Sequence, residues 1–196
     1  MTHAWTSTGD HNWNAAVGAG SWSVTSGGGE TPGSYPGDGT ASGGESDETV
    51  AIPAPRSVVM NVSNTKGLQG FTLAGGGTLD SHSGNTTLKV GHTTVTSAPG
   101  SGTCDFSGTV DQATGAGEIS LEVVGDNAML VETGAMTGNL ENVTINHSIT
   151  TTFSDAVTLA ADLTVTSGTA LFQNALTVAG DASVTGTLTG NASAIT

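Results

Sequence analysis

The sequence predicts an all-β chain wound as a parallel β-helix, or β-solenoid, with a tryptophan-bearing N-terminal cap and a glycine-rich loop. Three observations carry this expectation. Residues 156–166 read A-V-T-L-A-A-D-L-T-V-T and residues 175–185 read A-L-T-V-A-G-D-A-S-V-T, so apolar, small and acidic residues return in the same order after 19 positions (156 to 175). A unit of that length is too short to bury a core alone, but it matches one coil of a stack in which coils share their interior. Short segments that alternate apolar residues with Thr, Ser, Lys or Glu recur along the chain, the period-two signature of half-buried strands. Finally, there are 30 glycines among 196 residues and only 10% charged residues, so hydroxyls and amides must carry much of the solubility.

Taken in order, the chain falls into three regions. Residues 1–47 hold all three tryptophans (Trp5, Trp13, Trp22) and the single tyrosine, Tyr35. They also contain a Gly/Ser/Pro stretch rich in turn chemistry, and read as a short aromatic strand pair followed by a long loop. Residues 48–133 form the solenoid body, with strands expected at 49–52, 57–62, 70–73, 86–90, 93–96, 118–123 and 128–131. Residues 134–196 form a Thr-rich repeat stem, in which residues 142–150 resemble a weaker copy of the unit at 156, offset by 14 positions. No amphipathic helix is expected, because Gly and β-branched residues dominate and strong helix formers are sparse. A coil stack exposes backbone edges only at its two ends, and the tryptophan-rich segment is the natural cap for one of them.

Charge excludes some functions. Three basic residues, Arg56, Lys66 and Lys89, stand against 17 acidic ones, giving a net charge of −14. Nucleic acid is excluded as a partner, since tracking phosphates takes many more cations. Anionic membrane surfaces are disfavoured for the same reason. The opening residues M-T-H-A-W-T show no basic or apolar signal-peptide pattern, and no run of 18 apolar residues occurs. The lone Cys104 has no intrachain partner, so unless it pairs between chains the fold is expected to hold without cross-links, in a reducing compartment.

Candidate chemistry is thin. The three indoles offer faces for a pyranose ring if exposed, but a cap or subunit contact fits their strand spacing as well. Glu30, Asp38, Glu45, Asp47 and Glu48 supply oxygen ligands, yet no calcium-loop pattern frames them, so a solvated acidic loop is expected. Asp162 and Asp181 occupy equivalent repeat positions. A carboxylate pair of that kind suits glycoside hydrolysis, whereas turn capping is the commoner use of Asp at a coil corner. The histidines His3, His11, His82, His92 and His147 lack metal-ligand spacing. Cys104 reads as a small buried hydrophobe. No catalytic residue, metal or cofactor is expected.

The segment D-A-S-V-T-G-T-L-T-G-N-A-S at 181–193, with its partner D-L-T-V-T at 162–166, resembles the V-T-G-T-L-T-G-N-A repeats of bacteriophage tail-fibre and virion surface proteins. The tryptophans, the Pro-Gly loop and D-E-T-V-A-I-P at 47–53 resemble the opening coils of parallel β-helix surface proteins. The resemblance covers about the last third of the chain and its motif is low in complexity. It implies a structural, non-enzymatic virion protein assembled in the host cytoplasm. A compact capsid decoration (cement) protein suits the chain length. It would act as a homotrimer on the major capsid protein or other virion subunits, with Trp5, Trp13, Trp22 and Tyr35 as the expected contact region. A tail-fibre component or adhesin binding surface carbohydrate is the alternative, and a β-helical polysaccharide-degrading enzyme is a more distant one.

Overall fold

The computed structural model describes residues 3–18, 20–24, 35–37, 48–64, 67–91, 102–112 and 117–190. Nineteen strands and no helix occur among them. With one exception, neighbouring strands run parallel, as they must when each coil returns in the same sense onto the last. The hydrogen bonds group the strands into sheets of twelve, five and two.

Three faces repeat along the stack. The first is built from β1 (His3–Ser7), β4 (Glu48–Ile52), β6 (Gly70–Leu73), β9 (Gly102–Phe106) and β12 (Met129–Glu132). It continues through the second halves of β14 (Val143–Phe153) and β16 (Leu163–Phe172) to β19 (Thr187–Gly190). The second face carries β2 (His11–Asn12), β5 (Ser57–Met60), β7 (Thr78–Ser81), β10 (Thr109–Asp111) and β13 (Thr137–Gly138). The same position in later coils is held by β15 (Val157–Leu159) and β17 (Leu176–Val178). The third face comprises β8 (Thr86–Val90), β11 (Ile119–Gly125), the first halves of β14 and β16, and β18 (Ala182–Val184). Because β14 and β16 each turn a corner without interruption, one twelve-stranded sheet supplies two of the faces.

Register explains the composition. On the first face Trp5, Val50, Phe71, Cys104, Val131, Phe153 and Phe172 stack in one inward row. On the third face Leu88, Leu121, Val143 and Leu163 form a second inward row, and Val90, Val123, Ile145 and Val165 a third. All of these side chains are buried. Each such Val, Leu or Phe contributes about 1.5–3 kcal/mol by leaving water. The shortest ring-to-ring distance among the described residues is Phe153 on Phe172, stacked at 4.4 Å with an 8° interplanar angle. All of the described buried apolar residues join one core.

Coil length is uneven. Val50 to Phe71 is 21 residues and Phe71 to Cys104 is 33, but Phe153 to Phe172 is 19. The strands expected at 49–52, 57–62, 70–73, 86–90, 118–123 and 128–131 correspond to β4, β5, β6, β8, β11 and β12 within a few residues. The strand expected at 93–96 lies outside the described residues. β7, β9 and β10 are additional. The 19-residue repeat is a true coil, since Val157 pairs with Leu176 and Leu163 with Ala182. The 14-residue offset is corrected. Val143 pairs with Leu163, so residues 142–150 match the coil beginning at Asp162 and not the segment at 156.

One strand breaks the parallel rule. β3 (Trp22–Val24) runs antiparallel to β1, with Ser7 facing Trp22, and covers the edge of the first coil. The expected aromatic strand pair is therefore present, and it covers the first-face edge of the N-terminal coil, while on the second face β2 is the end strand of its sheet among the described residues. At the other end β17, β18 and β19 are the last strands of their faces among the described residues. There the exposure of the inward rows rises, from buried Val165 to Val184 at 42%.

Thr151 marks a local inconsistency. It sits in the inward row between Met129 and Ala170, fully buried. Its Oγ1 finds no hydrogen-bond partner. A buried hydroxyl without a partner is destabilising, so Thr151→Val is expected to raise stability by about 1–2 kcal/mol. A higher urea midpoint at unchanged slope checks this, and a loss of stability would show that the hydroxyl is used.

Candidate functional surface

The tryptophans expected at a contact surface form the inside of the cap. Trp5, Trp13 and Trp22 are 1%, 0% and 0% exposed. Trp22 meets Trp5 edge-on at 6.4 Å and Trp13 at 5.5 Å, and the His11 ring lies 4.6 Å from it. Their polar handles are also satisfied internally. Trp22 Nε1 donates to the Trp13 carbonyl at 2.8 Å and Trp13 Nε1 to the Pro36 carbonyl at 3.1 Å. Sugar stacking needs an exposed indole face, and none of the three offers one. Tyr35 is partly exposed and packs against the hydrophobic core.

Glu48, read from the sequence as part of a solvated acidic loop, points inward and is 1% exposed. Its Oε1 accepts from Trp5 Nε1 at 3.3 Å and its Oε2 from the Gly37 N–H at 2.6 Å. A buried carboxylate is tolerated only when hydrogen bonds replace its water. Here it ties the 35–37 turn to the first two coils. Glu30, Asp38, Glu45 and Asp47 lie outside the described residues. Among the described residues no group of three or more His, Cys, Asp or Glu side chains is placed to hold a metal.

Asp162 and Asp181 stand at the same corner of successive coils. Asp162 Oδ1 accepts the Asp181 N–H at 2.8 Å, and Asn142 Oδ1 accepts the Asp162 N–H at 3.1 Å. One coil earlier, Asn142 Nδ2 donates to Ser120 Oγ at 3.1 Å. This is a side-chain ladder that satisfies backbone donors at the corner, the turn role of short polar residues. Asp162 thus satisfies a backbone donor as expected of Asp at a corner, but the donor belongs to the next coil and not to its own turn.

Near this corner lies Glu141. Burial first, and then the neighbouring Glu118 and Asp162 carboxylates, hold its carboxyl above the ordinary range. An acid that ionises less readily in the folded than in the unfolded chain costs stability when the pH exceeds its folded value. The cost is relieved as pH falls through that value. Glu141→Gln is therefore expected to raise the melting temperature at neutral pH. The gain should vanish near about pH 3, where both states carry the proton. An equal gain at both pH values would remove the electrostatic cause.

The remaining candidates are structural. His147 is buried; its Nε2–H donates to the Asn127 carbonyl while Nδ1 accepts the Ile149 N–H at 3.3 Å. Its role is to hold the corner in β14. Cys104 is buried between Phe71 and Val131, and burial, followed by the Asp105 charge, holds its thiol well above the ordinary range, so it stays protonated and unreactive. Lys89 reaches Glu122 of the next coil at 3.4 Å. His11 and His82 make local contacts at the surface. His92 and Lys66 lie outside the described residues.

What remains for function is the outer surface of the coils. Its concavities are shallow. One groove follows the third face past Ser120, Glu122, Asn142, Thr144 and Asp162. Another crosses the first face at Gly70, between Thr49 and Thr103. The outward row through that second groove runs from Ala4 through Thr49 and Gly70 to Thr103. It continues through Leu130, Thr152 and Leu171 to Thr189. No member of this row is charged.

The class defined by this geometry is a repetitive all-β scaffold of solenoid type, compatible with structural or adhesive roles. No family model, no curated protein and no solved structure matches the chain. Among the described residues no helix is long and apolar enough to cross a membrane.

Proposed function

We propose that the protein is a non-catalytic structural component of a virion surface, most closely a capsid decoration protein working as a homotrimer. The observation that carries the reading is the continuous stack of parallel coils, which places Thr, Ser and small residues outward in regular rows above one core. Such a body is stiff along its length and presents many equivalent weak contacts, which suits multivalent clamping of a lattice of capsid subunits. The likeness of residues 181–193 to phage virion repeats supports the finer assignment. The N-terminal end, built on the buried Trp5, Trp13 and Trp22 with Tyr35 packed on the core, is the end we assign to contact with the capsid.

Co-sedimentation of the purified protein with decoration-free capsids tests this reading. Saturable binding that raises the temperature of capsid rupture is the expected result. Failure to bind capsids, combined with binding on a glycan array, would replace it with the adhesin reading. Turnover of a polysaccharide would overturn both.

A further inference from the structure

We propose that the first face of the coil stack, along the uncharged row from Ala4 to Thr189, is the surface through which copies of this chain associate side by side. The proposal rests on the coil geometry and not on the virion assignment, and it names the contact that an oligomer of this protein would use.

The first observation is the distribution of charge. At a net charge of −14, two copies repel each other over most of their surfaces. Acidic side chains stand on the second face at Asp80 and Asp111, which are direct register partners across β7 and β10. They stand on the third face and its corner at Glu118, Glu122, Glu141 and Asp162. The first face carries Asp105 and Glu132 in one outward row, paired with each other across β9 and β12. The adjoining outward row passes the eight described strands of the first face without a charge. Charge depletion at the centre of a patch with charges at its border is the compositional mark of an interface core.

The second observation is the relief and chemistry of that row. Gly70 leaves a notch flanked by Thr49 and Thr103, while Leu130 and Leu171 stand out of the row, partly exposed. A Cβ at position 70 would approach Thr49 Cγ2 to 3.3 Å, so the absent side chain shapes the notch. The threonines offer both a methyl group and a hydroxyl that donates and accepts. A surface that is apolar, hydroxyl-bearing and uncharged complements itself.

Other occupants fit less well. A basic protein would be drawn to the acidic faces. A polyanion finds no cation in this row, and a glycan finds no aromatic platform. Another copy presents the same row, matched in length and polarity, and is the occupant the surface favours.

Sedimentation equilibrium on the full chain tests the proposal, with circular dichroism to confirm that each variant keeps its β structure. The wild-type protein is expected to associate. Thr103→Glu, alone and combined with Leu171→Glu, should weaken association at least about a hundredfold by bringing like charges together. Thr164→Glu on the third face serves as the control and should leave association unchanged. A wild-type monomer at every concentration would overturn the proposal. So would association that survives both first-face variants, or that the control disrupts equally. Loss of capsid binding with association intact would strike the virion reading and leave this inference standing.

Discussion

Replacing Trp22 with alanine is expected to destabilise the protein by about 3–5 kcal/mol, which is a large part of the total stability of a domain. The side chain is fully buried and contacts Trp5, Trp13 and the His11 ring. It also donates to the Trp13 carbonyl, so truncation removes area, aromatic contacts and one buried hydrogen bond together. The damage reaches beyond a cavity, because Trp22 anchors the antiparallel strand that covers the edge of the first coil. In a stack whose coils contact only their neighbours, opening one end exposes the next coil in turn. Limited proteolysis should therefore cut first near the N-terminal coils in the variant. An unfolding free energy from urea titration within about 1 kcal/mol of wild type would show that the cap is dispensable.

The second large effect is expected at a corner. Gly168 lies where β16 turns from the third face to the first, at φ +68°. A Cβ there would fall 2.1 Å from the His147 carbonyl oxygen and 2.5 Å from that of Ile149. Both obstacles are backbone, so neither can swing aside. Gly168→Ala should combine a left-handed penalty of about 1–2 kcal/mol with the cost of moving a coil, for a total of about 3 kcal/mol or more. Gly84→Ala is the matched control, since a Cβ there meets nothing within 4 Å. Equal melting temperatures for the two variants would contradict this account of the corner.

The last third of the chain was the most legible in sequence. Its coils are nearly equal in length, so the recurrence of Asp162 at Asp181 corresponds to real stacking. The body was harder, because 33 residues separate the stacked Phe71 and Cys104 and no fixed period survives such insertions. β9 reads G-T-C-D-F, in which only Cys104 and Phe106 point inward, a weak apolar signal. The offset assigned to residues 142–150 failed because V-T-I and V-T-L have the same local pattern on different faces. A nearest-neighbour pattern does not tell one side of a coil from another. The burial of Glu48 is illegible in the sequence for a different reason. Its burial depends on the Trp5 indole 43 positions away, and nothing local announces it. The orientation of the tryptophans was likewise invisible, since strand spacing places aromatics on one side without saying which side faces water.

The uniform late coils have one more consequence. Val157 and Leu176 occupy the same site one level apart, as do Leu163 and Ala182. Excising or duplicating the 19 residues between such equivalent corners would rejoin matching ends. The molecule would then shorten or lengthen by a single interstrand spacing of about 4.8 Å. Its extent is in that sense a graduated ruler, adjustable by evolution in whole steps without redesign of what lies on either side.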